Sequence, residues 1–297
     1  MGGLAMKIAI IANAKRADSP LLDKKKLDLL ANENGLSYDL YIPKPKEIES
    51  LIKELLQKNY HAFLIAGGDG TVRTVVQVLA NYEIPIAILP LGTFNYFARE
   101  LKFPPDIEKL FKYIKNNKTK RVDIGEVNEH IFINHSSIGF YSYILKLKEK
   151  HKNWLGTSKL LKIIFTSVLL MRKIPIYNLK MIVDDQLVTH RTCLVFIGNN
   201  YHFTNLLDFG ERNSLTSGYL AVYILRCKNR WEMLKCIFSI VFNRFDKTTY
   251  LTQFITNDLI ISSQTNQLNV VIDGELFKLA MPLHYKIISK KLNVVTP

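Results

Sequence analysis

Ala66-Gly67-Gly68-Asp69-Gly70-Thr71-Val72 lies directly after an apolar run at 62–66 and directly before a helical pattern at 72–79. Glycines at such a place let the main chain turn tightly and aim its N–H groups at an anion, with no side chain blocking close approach. The helix that follows adds its positive N-terminal end, so the segment reads as a phosphate cradle. Asp69 is the unusual member. A carboxylate beside a phosphate cradle repels its ligand unless a cation lies between them, which suggests coordination of Mg²⁺ or help in deprotonating a nucleophile. The plainer alternative is a strand-to-helix turn in which Asp69 caps the helix.

On either side of this loop, short apolar runs (6–12, 38–42, 62–66, 86–89) alternate with helical patterns (22–32, 48–58, 72–79). Such alternation implies a parallel sheet covered on both faces. Ligands of these sheets bind beyond the carboxyl ends of the strands, so chemistry is expected just after Ala12, Ala66 and Leu89. The first of these segments, Asn13-Ala14-Lys15, offers an amide and an ammonium. The third reads Pro90-Leu91-Gly92-Thr93-Phe94-Asn95-Tyr96-Phe97-Ala98-Arg99. Thr93 or Asn95 suits a helix cap, yet two polar turns at neighbouring strand ends would face one crevice. Arg99 suits either a phosphate contact or a solvated surface.

After Arg121 the pattern changes to strand-like runs at 122–127, 131–134, 179–183, 193–198, 219–225, 259–262, 268–272 and 284–288. A mostly antiparallel sandwich or barrel follows from them. The expected division is 1–125 for the α/β domain and 126–283 for the β domain, with the strand at 284–297 able to return to the first. A helix pair is expected over 141–172 and an amphipathic stretch over 231–245. Both suit caps on the sandwich core, while the first, basic and carrying Trp154, also suits a membrane surface.

The chain has 297 residues, 48% of them hydrophobic, enough for two cores. No run approaches the roughly 18–20 apolar residues that a spanning helix needs, and the N-terminus lacks a signal-peptide pattern, so a cytoplasmic protein is expected. Cys193, Cys227 and Cys236 have no CxxC spacing, which argues against a disulfide framework or a zinc site. Forty basic residues exceed 26 acidic ones, a net charge of +14 that favours an anionic partner. Eight of the basic residues fall between 146 and 173, against the single acid Glu149. Lys146, Lys148, Lys150, Lys152 and Lys159 are therefore the expected contacts to an anionic membrane surface. No nucleic-acid module accompanies the charge, so no nucleic-acid partner is expected. Oligomeric state is open, a homodimer included.

Asn13, Gly67-Gly68-Asp69-Gly70-Thr71 and the segment from Pro90 to Arg99 resemble the catalytic-domain signature of the diacylglycerol kinase and sphingosine kinase superfamily. The likeness continues through Phe132-Ile133-Asn134 with Ile138-Gly139, Gly198-Asn199-Asn200, Gly210-Glu211-Arg212 with Leu215 and Gly218, and Asp273-Gly274-Glu275. It is nearest the bacterial lipid kinases acting on diacylglycerol, phosphatidylglycerol or undecaprenol. The resemblance implies an α/β plus β fold: an N-terminal three-layer domain like that of NAD kinase and phosphofructokinase, a C-terminal β-sandwich, and ATP with Mg²⁺ in the cleft between them. It implies nucleotide contacts from Asn13, Lys15, Gly67, Gly68, Gly70, Thr71, Gly92, Thr93 and Asn95, Mg²⁺ at Asp69, and Arg99 near phosphate or lipid head. Glu275 would be the general base for the lipid hydroxyl, with Asp69 and Asp273 completing the catalytic set. Read without the family, Asp273-Gly274 between two strand-like runs is a strong hairpin-turn signal, and turn and catalytic loop are compatible.

Two departures from the family pattern matter. Tyr96 stands where several members have aspartate after Asn95, and Leu215-Thr216-Ser217-Gly218 replaces an acidic turn that holds a structural Mg²⁺ in some members. No structural Mg²⁺ is expected at Thr216 and Ser217. An active, cytoplasmic, peripherally membrane-associated lipid kinase remains the favoured expectation. The alternatives are a sphingoid-base kinase and a catalytically weak ATP- or lipid-binding regulator on the same scaffold.

Overall fold

The computed structural model describes residues 6–16, 18–140, 142, 176–200, 212, 214–226, 229–232, 235 and 250–296. They divide into two compact units, one of residues 1–124 with 288–297, the other of residues 125–287.

The first unit is built on β1 (Met6–Ala12), α1 (Lys24–Asn34), β2 (Leu36–Tyr41), α2 (Ile48–Leu55), β3 (Ala62–Gly67), α3 (Asp69–Leu79) and β4 (Ile86–Pro90), followed by α4 (Tyr96–Glu100) and α5 (Ile107–Asn116). β2, β1, β3 and β4 lie side by side in that order, all parallel. Every residue of β3 is buried, as a central strand covered on both faces requires. Right-handed crossovers place α1 on one face and α2 and α3 on the other, and the packing agrees, since α1 meets α5 and α2 meets α3. α2 buries Ile48, Ile52 and Leu55, one stripe at helical spacing. α1 begins where the Asp23 side chain accepts from Lys26 N and stops at Gly35, whose φ of 65° is a left-handed cap. α5, beyond the helical patterns expected at 22–32, 48–58 and 72–79, is capped by Asp106, accepting from Glu108 N and Lys109 N, and buries Ile107, Leu110, Phe111 and Ile114.

The second unit is antiparallel. Its strands are the end of β5 (Thr119–Val127), then β6 (His130–Phe132), β7 (His135–Gly139), β8 (Tyr177–Val183), β9 (Gln186–Asn199), β10 (Leu220–Arg226), β11 (Leu251–Thr256), β12 (Asp258–Ser262), β13 (Gln267–Ile272), β14 (Glu275–Ala280) and the start of β15 (Leu283–Val295). β14, β13, β7 and β9 are consecutive neighbours, and β9 also pairs with β8 and β10. The core gathers Ile138, Val195, Ile197, Val222, Val270, Ile272 and Tyr285 among others. The far end of β15 belongs to the first unit, where Val294 pairs with Ile86 in parallel. This mixed architecture, an α/β unit followed by antiparallel strands, is the expected fold class.

Among the described residues, three hairpins turn on two residues that both have positive φ: Asn128-Glu129, Asp184-Asp185 and Asp273-Gly274. That geometry matches the right-handed twist of the flanking strands. One strand expectation needs correction. The run at 131–134 does not continue as a strand; β6 ends at Phe132, Ile133 and Asn134 form a bend, and β7 begins at His135. The cause is a captured backbone, described below. The helix pair expected over 141–172 and most of the amphipathic stretch at 231–245 lie outside the described residues, as do the basic segment with Lys146 to Lys159, Cys227 and Cys236. Among the described residues no helix is long and apolar enough to cross a membrane, and Cys193 is buried.

Candidate functional site

In the first unit, three loops leave the carboxyl ends of β1, β3 and β4, and hydrogen bonds tie each to the next. Asn13 N donates to Ala66 O at 3.0 Å, and its side-chain amide donates to the Thr71 hydroxyl at 2.9 Å. The Asn13 side-chain oxygen accepts from Lys15 N at 3.0 Å, which curls the first loop. Leu91 N donates to Gly67 O at 3.0 Å, joining the second loop to the third. Gly68 and Gly92 meet backbone to backbone: a Cβ on Gly92 would stand 2.5 Å from Gly68 Cα. Asn95, at φ 52°, folds its side chain back, accepting from Gly92 N and donating to Gly92 O, both at 2.9 Å.

α3 begins inside the glycine loop with Gly68 as its N-cap. Its first helical hydrogen bond runs from Val72 N to Gly68 O at 3.1 Å. The N–H groups of Asp69, Gly70 and Thr71 therefore stand ahead of the helical ladder, at the end where the peptide dipoles add up to positive charge. Thr71 is nearly buried, its side chain against Gly67 and its hydroxyl held by Asn13. It reaches this loop as a brace as well as through its N–H.

Asp69 does not cap its own helix. Its two oxygens accept from Tyr96 N and Phe97 N, each at 3.2 Å, so it caps the neighbouring α4. The helix-cap alternative is thus corrected in one respect, since the capped helix is 27 residues away. An ionised carboxylate has about four lone-pair sites, so two N–H bonds leave capacity for a cation. Magnesium is commonly held by one or two carboxylates together with substrate phosphates and water, and one carboxylate beside a phosphate cradle fits that habit. Among the described residues no group of three or more His, Cys, Asp or Glu side chains gathers into an all-protein metal cage. Lys15, Thr93 and Arg99 are exposed at the same sheet edge. Phe94 is exposed too, its ring stacked on that of Tyr96 at 5.4 Å.

In the second unit, Asp273 and Gly274 form the turn between β13 and β14, and Glu275, the first residue of β14, pairs with Ile272 and is exposed. The Asp273 carboxylate accepts three backbone hydrogen bonds, from Ile133 N at 2.7 Å, Asn134 N at 2.9 Å and His135 N at 3.0 Å. Asp273 N returns one to His135 O at 2.9 Å. This capture is what breaks the expected strand at Phe132. The other side of the same bend is held by Arg212, which donates to Ile133 O at 2.7 Å and Asn199 O at 3.1 Å, and by the Asn199 amide, which donates to Ile133 O at 3.0 Å. Asp273 is thus placed as a structural latch beside Glu275. Asn199 and Arg212 had appeared in the sequence only as parts of the family-like motifs at 198–200 and 210–212; a signal for their role was present there, but not their target. The Leu215–Gly218 turn is knit by hydroxyls, with Thr216 N donating to Ser214 Oγ at 3.0 Å.

Residues 7–127 match the family model described as "Diacylglycerol kinase catalytic domain". A diacylglycerol kinase of Staphylococcus saprophyticus is 27% identical over 246 residues, covering 82% of this chain and 79% of its own, and one of Staphylococcus carnosus is 40% identical over 84 residues, 28% of each chain. A crystal structure of a diacylglycerol kinase from Bacillus anthracis superposes with a TM-score of 0.68 at 18% identity, covering 100% of this chain and 98% of that one, a likeness of fold.

Proposed function

We propose that this chain, whose residues 7–127 match the diacylglycerol kinase catalytic-domain model, moves the γ-phosphoryl group of ATP onto the hydroxyl of a diacylglycerol-like membrane lipid. The observation that carries the reading is the start of α3. Three N–H groups stand ahead of the helical ladder in a loop of glycines, where an anion gains both hydrogen bonds and the helix dipole. Asn13, Lys15, Gly67, Gly68, Gly70, Thr71, Gly92, Thr93 and Asn95 belong to the three loops of that edge and are the proposed nucleotide contacts, with Arg99 directed to phosphate or lipid head.

In the proposed reaction the lipid oxygen attacks the γ-phosphorus, the bond from that phosphorus to the β-bridging oxygen breaks, and ADP leaves. The hydroxyl proton passes to the Glu275 carboxylate, since an alcohol attacks best when a base takes its proton. Magnesium, when bound, would neutralise charge on the phosphates, and Asp69 is the residue that would hold it. Asp69 also fixes α4 against the glycine loop, and the Asn95 side chain fixes the loop after β4. Catalysis of phosphoryl transfer rests largely on such positioning and charge stabilisation. The basic segment around Lys146 to Lys159 is proposed to hold the protein at the anionic inner leaflet, where the lipid resides.

The test is incubation with γ-labelled ATP, Mg²⁺ and a total bacterial lipid extract, followed by identification of the labelled product. Labelled phosphatidic acid is the expected outcome. A labelled sphingoid base would move the substrate class. ATP binding without any labelled lipid would replace the kinase reading with that of a nucleotide-binding regulator.

A further inference from the structure

We propose that Arg212 and Asp273 act as one positioning unit through a single peptide group, Ile133–Asn134, and that this unit sets where Glu275 stands; the proposal rests on the reading of Glu275 as proton acceptor. The carbonyl of that peptide accepts from Arg212 at 2.7 Å and from the Asn199 amide at 3.0 Å, while its N–H donates to Asp273 at 2.9 Å. A guanidinium pulling on the oxygen and a carboxylate pulling on the hydrogen polarise the group in the same sense. Each bond therefore strengthens the other, as in a hydrogen-bonded chain inside a low-dielectric interior.

The surroundings make the coupling matter. Arg212 is nearly buried, and a buried guanidinium is tolerated only when its charge meets acceptors. Asn199 is fully buried and closes the bend from the other side, its N–H donating to Asn134 O at 2.9 Å. Asp273 is bound at both its carboxylate and its N–H to the stretch from Ile133 to His135. Glu275 follows two residues later, across a turn in which Asp273 and Gly274 both have positive φ. Its own side chain is exposed, so burial contributes little to fixing it. The clamp on Asp273 acts on Glu275 through the backbone of the turn, which sets where its side chain begins. Neither Arg212 nor Asp273 is assigned a contact with substrate.

A double-mutant cycle tests this on the full chain with Arg212→Met, Asp273→Asn and the pair, read by denaturant unfolding and by turnover at varied ATP. Each single variant is expected to lose at least about tenfold in kcat with KM for ATP unchanged, and the pair to lose clearly less than the product of the two, in both readouts. Arg212→Lys, which keeps the charge, is expected to recover part of the rate. It should also move the amide resonances of Asn134 and Glu275 in the ¹H–¹⁵N spectrum, which reads the coupling even if the bolder variants do not fold. Additive effects in unfolding, or an unmoved Asn134 amide in Arg212→Lys, would overturn the coupling. An unmoved Glu275 amide together with unchanged kcat would overturn its role in positioning. Failure of the proton-acceptor reading shows up separately, as a normal rate in Glu275→Gln, and leaves the unfolding and resonance outcomes intact.

Discussion

Gly92 and Gly68 touch backbone to backbone, a Cβ on Gly92 falling 2.5 Å from Gly68 Cα and 2.6 Å from Asn95 Oδ1. Gly92→Ala must therefore push apart the loops that follow β3 and β4. Overpacking of this kind costs about 1–3 kcal/mol, and a shift of about 1 Å at a reacting group can cost on the order of 10²-fold in rate. Unfolding and lipid phosphorylation measured together should show both losses. Gly274→Ala is the contrast: nothing lies within 4 Å of the added Cβ, and only its φ of +84° is strained, so a stability loss of about 1 kcal/mol is expected.

Asp69→Asn should lower turnover by orders of magnitude and stability by about 1 kcal/mol. Asparagine offers one acceptor oxygen where the carboxylate serves two N–H groups, those of Tyr96 and Phe97. Its amide would then face an N–H, leaving that donor unsatisfied. Melting curves and Mg²⁺ titrations of activity separate the two consequences. A variant that melts earlier yet phosphorylates lipid at the parent rate would confine Asp69 to capping α4.

Glu275→Gln keeps size and hydrogen bonding but cannot take up a proton. The expected result is a fall in turnover of about 10² to 10⁴ with ATP affinity nearly unchanged. If Glu275 were only the first residue after a hairpin turn, the same change would alter stability by a few tenths of a kcal/mol and leave the rate alone. ATP titration beside lipid phosphorylation decides between these.

Reversing Lys148, Lys150, Lys152 and Lys159 to glutamate should release the protein from anionic vesicles. Each basic residue near such a leaflet contributes roughly 1 kcal/mol, screened by salt. Sedimentation with phosphatidylserine-containing vesicles at low and high salt is the measurement, and unchanged binding at low salt would sink the role of this segment.

Asp39 is held below the usual carboxylate range by its hydrogen bond from the Lys7 ammonium at 2.8 Å and then by that from the Tyr60 hydroxyl. A folded-state value lower than the unfolded one means that the contribution to stability is fully present above the unfolded value, near 4. It is lost as pH falls through the folded value. Unfolding curves from pH 7 down to about 2.5 should therefore converge at the acid end between the parent and Asp39→Asn, and separate at neutral pH. Parallel curves across the range would remove Asp39 from the acid response.

The parts of this protein legible in the sequence are those decided by neighbours in the chain. Alternating apolar runs and helical stripes specify the parallel unit, because each element must bury its own face. Gly67, Gly68 and Gly70 announce a strand-to-helix loop without side chains, where Gly68 meets the Gly92 backbone, and Asp273-Gly274 announces a two-residue hairpin, because its positive φ suits few other residues. Tertiary structure decided where the polar groups go. Asp69 reads as a ligand or a cap for its own helix, yet its carboxylate serves N–H groups 27 and 28 positions away. The run at 131–134 reads as strand, and becomes a bend because a carboxylate 139 residues later takes the Asn134 N–H while an arginine 79 residues later takes the Ile133 carbonyl. Local propensity is set by side-chain shape and backbone freedom within a few residues. A buried backbone group must find a partner wherever folding has placed one, and that partner is known only when the chain is closed upon itself.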